Sequence, residues 1–141
     1  MSCYRQYKSE IKDLDVMERA LASAGLASKR NADIVTYGSR KVKTDLAVSE
    51  DGGKSFHFGF VKGANGTYDI HVEGDYVRRA NAGSEAAFVE RMQTLYSYQM
   101  TFDGITANDG LTVDEVVGLE NVYEKGAEVI LTVDVADHLL R

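Results

Sequence analysis

The segment 55–73 contains the pattern that most constrains the fold of this chain. Its first run, 55–61, reads SFHFGFV, its last run, 67–73, reads TYDIHVE, and the loop KGANG lies between them. Apolar residues that recur at every second position are typical of a strand with one buried face, and the glycine-rich loop favours a reversal of the chain. The segment therefore predicts a β-hairpin.

The register of this hairpin follows from the requirement that its two apolar faces coincide, because a slip of one residue would turn every side chain to the other face. A loop of three or five residues satisfies that requirement. The predicted pairs are Phe60–Tyr68, Phe58–Ile70 and Phe56–Val72.

The opposite face of the predicted hairpin carries the most specific site hypothesis. There His57 would lie directly across from His71, with Asp69 and Glu73 on the same face. Two imidazoles near carboxylates are suited to zinc or another transition metal, or to a proton-sensitive pair near pH 6. The alternative is two solvated polar residues on an exposed sheet face, since the pattern does not locate the third ligand that a metal site needs.

Two segments have the apolar spacing of helices. The first runs from Val16 to Ala24 after an N-cap at Asp13 or Asp15 and stops at Gly25. The second is capped by Ser84 and runs to about Met100 or Phe102. In this second helix we expect Tyr96 to face the core and Tyr98 to point elsewhere. Its apolar positions are Phe88, Val89, Met92, Leu95, Tyr96 and Met100.

Further strands are predicted around these elements. Extended structure is expected at 3–12, 33–37, 41–49 and 127–135, while 111–117 is either a strand or the start of a short helix. Turns are expected at Gly38-Ser39 and at 50–53. The economical assembly is an α+β fold, a largely antiparallel sheet with two helices packed on one face, forming a single domain over 1–141.

Composition narrows the classes of function. The formal net charge of −6 and the isoelectric point near 5.0 disfavour generic DNA or RNA binding, because an acidic surface repels phosphates. The polar N-terminus, and the lack of any apolar run near the roughly 20 residues that span a bilayer, predict no membrane association and a cytoplasmic location. The single cysteine, Cys3, suits a reducing compartment.

Motifs for catalysis are absent from the sequence. It contains no G-x-S-x-G, H-E-x-x-H, C-x-x-C, Walker or dinucleotide pattern. We therefore expect no enzyme and no cofactor. Tyrosine is the over-used aromatic, and because it is amphipathic, an exposed cluster of Tyr4, Tyr76 and Tyr98 would mark a partner surface. The alternative is that these rings cover the sheet while their hydroxyl groups stay in contact with water.

Three stretches together resemble one family. SEIKDLDVMERALASAG at 9–25 resembles its opening turn and first helix, 45–75 resembles its central strand, glycine turn and hairpin, and FVERMQTLYSYQMTFDG at 88–104 resembles its second helix. The family is the hypothetical chloroplast reading frame thirty-five group of cyanobacteria, plastids and other bacteria. Where that family usually has tryptophan after the hairpin, this chain has Asp75-Tyr76-Val77-Arg78, so a bacterial or phage-encoded relative fits as well as a plastid one.

The resemblance implies no activity, because the family has no established one. It gives a weak indication of an association with an ATPase of the AAA type, and for a plastid homologue it implies a location in the stroma. The leading functional prediction is a non-enzymatic interaction or accessory module that associates with itself or serves a larger complex. The alternative is a small-ligand or metal binder that uses the polar face of the 55–73 hairpin around His57 and His71.

Overall fold

The computed structural model describes residues 4–36, 40–73 and 84–137. Within them, the helices are α1 (Leu14–Ser23), α2 (Glu85–Thr106) and α3 (Val122–Lys125), and a 3₁₀ turn spans Leu119–Asn121. The strands are β1 (Tyr4–Tyr7), β2 (Ala27–Arg30), β3 (Asp33–Val35), β4 (Lys41–Lys43), β5 (Leu46–Ser49), β6 (Phe58–Lys62), β7 (Tyr68–Glu73), β8 (Leu111–Val117) and β9 (Ile130–Val135).

One antiparallel sheet of five strands, in the order β1-β7-β6-β5-β2, dominates the architecture. The helices α1 and α2 contact each other, and their apolar side chains share one core with those of β5, β6 and β7. The predicted class, α+β with a largely antiparallel sheet and two helices on one face, is confirmed. Two small antiparallel pairs, β3–β4 and β8–β9, and the short helix α3 lie outside that prediction.

Helix α1 begins where a side chain satisfies its first backbone donors. The Asp13 carboxylate accepts hydrogen bonds from the N–H groups of Asp15 and Val16, at 2.9 and 3.3 Å, so Asp13 is the N-cap. The Tyr96 hydroxyl of α2 accepts from the backbone N–H groups of Lys12 and Asp13, at 3.2 and 3.1 Å. These bonds attach the start of α1 to α2.

The β6–β7 hairpin forms, but its predicted register is wrong by two residues. Phe60 pairs with Ile70 and Phe58 with Val72. The Gly63 N–H donates to the Thr67 carbonyl at 2.8 Å, so the loop has the expected three residues but is centred one position later than predicted. Since side chains alternate with a period of two, a slip of two leaves the phenylalanines on the buried face.

The single strand predicted at 41–49 is divided in two. The Thr44 N–H donates to the Ala32 carbonyl and the Asp45 N–H to the Phe60 carbonyl, both at 2.9 Å. The chain therefore changes partners between these residues, with β4 pairing to β3 and β5 joining the large sheet. Periodicity does not show this change, because both halves keep an extended backbone.

Helix α2 starts as predicted and ends later. The Ser84 hydroxyl accepts from the Ala87 N–H at 3.1 Å, but the helix continues to Thr106. Two residues in its second half differ from their prediction. Met100, which the apolar spacing assigns to the covered face, is 50% exposed, whereas Tyr98, which was expected to point away from the core, is 9% exposed and packs against Phe102. Because α2 contacts β8 as well as α1, its covered surface extends beyond the stripe that the apolar spacing predicts.

Several predicted features lie outside the described residues, namely Cys3, Tyr76, the turn at Gly38-Ser39 and the chain beyond 137. None of the helices formed by the described residues combines the length and the apolar composition that crossing a membrane requires.

Candidate functional site

The structure does not place His57 across from His71. His71 lies opposite Gly59 of β6 and Gln6 of β1, while His57 precedes the first residue of β6. The predicted opposition is wrong because it depended on the hairpin register, which differs by two residues. Asp69 and Glu73 share the face of His71, as the alternation along β7 requires.

This face is more buried than expected. His71 is 9% exposed and Glu73 is 6% exposed. The Tyr4 ring packs edge-on against the imidazole with centroids 5.5 Å apart, and its hydroxyl hydrogen-bonds to Nδ1 of His71. Among the described residues, no group of three or more histidine, cysteine, aspartate and glutamate side chains is placed to hold a metal ion. Metal binding at His57 and His71 stays a prediction.

Burial lowers the pKa of His71 from its usual 6.5, and the negative charges of Asp69 and Asp45 act in the opposite direction. The unfolded chain therefore binds a proton at His71 more readily than the folded chain does. We expect the free energy of unfolding to fall as the pH drops below about 6.5, and to fall less in a His71→Gln variant. Urea denaturation between about pH 7.5 and pH 5.5 measures both. An NMR titration that put the pKa of His71 above 6.5 would contradict the expectation.

The three tyrosines predicted to form a partner surface have different positions. Tyr4 is 36% exposed on edge strand β1, and Tyr98 is buried on α2. Tyr76 lies outside the described residues. The predicted Tyr4–Tyr76–Tyr98 surface therefore stays a prediction for Tyr4 and Tyr76, whereas Tyr98 lines a groove described below.

The β8–β9 pair, which we call the ribbon, is a surface that the sequence analysis missed. Alternate aliphatic residues form one face of it, yet each is only half-buried and none belongs to the core or packs against it. Leu131 of this face lines a groove together with residues of α2, and α2 contacts β8. Its residues are Leu111, Val113, Val116, Leu131, Val133 and Val135.

The outer face of the ribbon carries a second apolar feature. Val117 and Ile130 pair across the two strands, and they are 47% and 57% exposed. Few large apolar side chains of the described residues are so accessible to solvent. Exposed apolar surface that is contiguous and flanked by polar residues is typical of a site that contacts another molecule.

A groove of about 480 Å³ separates α2 from β9. One wall is formed by polar residues of α2, and Val129 and Leu131 form the other. Two carboxylates, those of Glu10 and Glu90, lie at its margin, and no lysine or arginine is among the described residues that line it. The described residues that line the groove are Glu10, Glu90, Gln93, Thr94, Ser97, Tyr98, Thr101, Val129 and Leu131.

Charge is distributed unevenly along the chain. Residues 107–137, which contain the ribbon and α3, have eight carboxylates and one lysine, a net charge of −7. Residues 1–106 have fourteen acidic and fourteen basic side chains, and Arg141 accounts for the difference from the total of −6. All eight carboxylates of 107–137 are exposed, and none forms an ion pair with another described residue. Counting the charged residues separately in each segment would have shown this asymmetry from the sequence, but would not have shown that the eight carboxylates are exposed.

We found no match to this chain among protein-family models, curated protein sequences or solved structures. The resemblance to the chloroplast reading frame family stays a prediction.

Proposed function

We propose that this chain is a non-enzymatic interaction module that docks a partner through the ribbon and the adjoining groove. The observation that carries the proposal is the half-buried aliphatic face of the ribbon, which the rest of the described chain leaves outside the core. A two-stranded sheet is marginally stable by itself and gains stability when its apolar face is covered. A partner seated along the ribbon would supply that cover.

Two further observations support docking at this place. Val117 and Ile130 extend the apolar surface to the outer face of the ribbon. The groove beside β9 offers hydroxyl and amide groups from α2, which are suited to hydrogen bonds with a polypeptide. Apolar area with polar groups around it is the usual composition of a protein interface.

The partner is either a second copy of the chain or a member of a larger complex. An ATPase of the AAA type is the candidate that the family resemblance implies. A small-ligand or metal site at His57 and His71 has less support, because the register brings His71 opposite Gly59 and not opposite His57.

Substitution of the exposed apolar pair tests the proposal. We expect the tagged wild-type chain to retain a partner from an extract of its native cell, or to self-associate, with micromolar affinity or better. The Val117→Ser/Ile130→Ser variant should lose at least about tenfold in affinity, because two exposed side chains no longer become buried on binding. Sedimentation velocity and binding of the purified, identified partner provide the two measurements.

A matched control separates the ribbon from other exposed apolar residues. Val35 of β3 is 38% exposed, and Val35→Ser should leave the affinity unchanged. Circular dichroism and thermal melting establish that each variant is folded. A wild-type chain that stays monomeric and retains nothing, or an equal loss in both variants, would contradict the proposal.

A further inference from the structure

The free edge of β9 has the features of a strand that accepts another strand. Among the described residues, β9 pairs with β8 alone. Its six residues, ILTVDV, contain no proline or lysine, and Asp134 is their only charge. Sheet edges that must stay unpaired are usually protected by charges, proline or bulges.

The other edge of the ribbon is protected in that way. The register of β8 shifts between Val113 and Glu115, which leaves Asp114 as an extra residue in a bulge. The carboxylates of Asp114 and Glu115 are both exposed there. A polypeptide that adds to the ribbon should therefore pair with β9 rather than with β8.

One hydrogen bond shows which backbone N–H groups of β9 point away from β8 and can pair with an added strand. The Ala136 N–H donates to the Gly110 carbonyl at 2.8 Å, so position 136 directs its backbone groups toward β8. Backbone groups alternate in direction along a strand, and the bulge lies on β8, so the alternation in β9 is uninterrupted. The N–H groups of Leu131, Val133 and Val135 therefore point to the free edge.

The groove lies beside the same edge. The side chain of Leu131 lines it together with Val129, opposite the polar wall of α2. An added strand would direct alternate side chains into this space, because side chains of neighbouring strands share a face. Glu10 and Glu90 at the margin favour cationic side chains there.

The net charge of residues 107–137 favours a basic polypeptide over a second copy of the chain as the strand that pairs with β9. Two copies joined through β9 would bring together two segments with a net charge of −7 each, and like charges oppose association. A basic polypeptide would be attracted by the eight exposed carboxylates of 107–137, none of which pairs with a cation in the part of the chain that the structure describes.

We infer that β9 binds an extended basic segment of a partner protein, which adds as a third strand to the ribbon and places lysine or arginine side chains beside Glu10 and Glu90. This inference rests on the proposed function and specifies the chemistry of its partner. Main-chain hydrogen bonds to Leu131, Val133 and Val135 supply the pairing, and the groove and the carboxylates supply the preference for basic sequences.

The probe is a displayed library of random peptides of about twelve residues, long enough to match β9 and its flanks. We expect the enriched peptides to carry a net positive charge, and the best one, resynthesised, to bind more weakly as salt is raised. In amide exchange measured by NMR, the peptide should slow exchange at Leu131, Val133 and Val135. The amides of Ile130, Thr132 and Asp134 should change little, because they already face β8.

Variants test the same contacts separately. Val133→Pro removes an outward N–H without removing a bond to β8 and should weaken binding at least tenfold, whereas Val133→Ala keeps that N–H and should weaken it less.

Glu10→Gln with Glu90→Gln should reduce both affinity and salt dependence, and Glu50→Gln in the turn after β5 should do neither. If Val133→Pro unfolds the ribbon, the exchange pattern of the wild-type protein still decides.

Three outcomes would overturn the inference: enrichment of no peptides, enrichment of acidic or uncharged ones, or protection of amides other than these three. Protection of the same amides by self-association, without peptide, would make a second copy the occupant. In each case the proposed function survives if the Val117→Ser/Ile130→Ser variant still loses its partner, so the two failures are distinguishable.

Discussion

Phe58→Ala should lower the free energy of unfolding by about 3–5 kcal/mol, the usual cost of deleting a fully buried phenylalanine ring. Phe58 is 0% exposed, and its ring contacts Phe60, Phe88 of α2 and Tyr123 of α3, with centroids 6.5, 5.0 and 6.3 Å apart. The substitution thus leaves a cavity where the sheet meets two helices. Since small domains have about 5–15 kcal/mol in total, the variant should be barely folded at 37 °C.

Urea denaturation at 25 °C measures the loss, and Met100→Ala provides the control. Met100 is also apolar but is 50% exposed, so its truncation should change the free energy of unfolding by less than about 0.5 kcal/mol. A loss below about 1.5 kcal/mol for Phe58→Ala would mean that this ring is not central to the core.

Gly118→Ala is the second large effect that we expect. Gly118 follows β8 with a φ of 94°, a conformation that strains any residue with a Cβ atom. A Cβ atom there would also overlap the backbone carbonyl oxygen of Glu128, on the segment that leads into β9. The expected cost is about 1–2 kcal/mol for the left-handed conformation plus about 1–3 kcal/mol for displacing backbone.

Gly66→Ala isolates the first of these two costs. Gly66 has a φ of 78° in the β6–β7 loop, and a Cβ atom there would meet nothing within 4 Å. Its replacement should therefore cost only the roughly 1–2 kcal/mol of conformational strain. Equal melting temperatures for the two variants would show that the close approach of Gly118 to Glu128 contributes nothing.

The buried face of the hairpin was predictable because it depends on local alternation alone. Phe58, Phe60, Ile70 and Val72 are all 0% exposed, as the period of two requires. Its register was not predictable to the residue, because three- and five-residue loops centred on neighbouring positions bury the same side chains. The hypothesis of opposed histidines depended on that register.

The ribbon illustrates a different limit. AEVILTVDV at 127–135 is predicted as a strand and LTVDEVV at 111–117 as either a strand or the start of a short helix, and the structure has a strand in each segment. Nothing in their pattern shows that they pair with each other outside the five-stranded sheet, because strand pairing depends on contacts between distant segments. The half-buried aliphatic face, the groove beside α2 and the free edge of β9 all follow from that pairing.

The sequence by itself determined the class of the fold, the helix N-cap at Ser84 and the apolar face of the hairpin, since caps and periodicity are properties of neighbouring residues. It left the N-cap of α1 at either Asp13 or Asp15, and the structure places it at Asp13. It also contained the charge of −7 in residues 107–137. Only the tertiary structure decided that His71 is buried against Tyr4, that Tyr98 is buried beside the groove, and that β9 has one edge with which no other described strand pairs. Each of these depends on which distant segments contact each other. Local sequence patterns are compatible with several such pairings, and only the packing of the whole chain selects one of them.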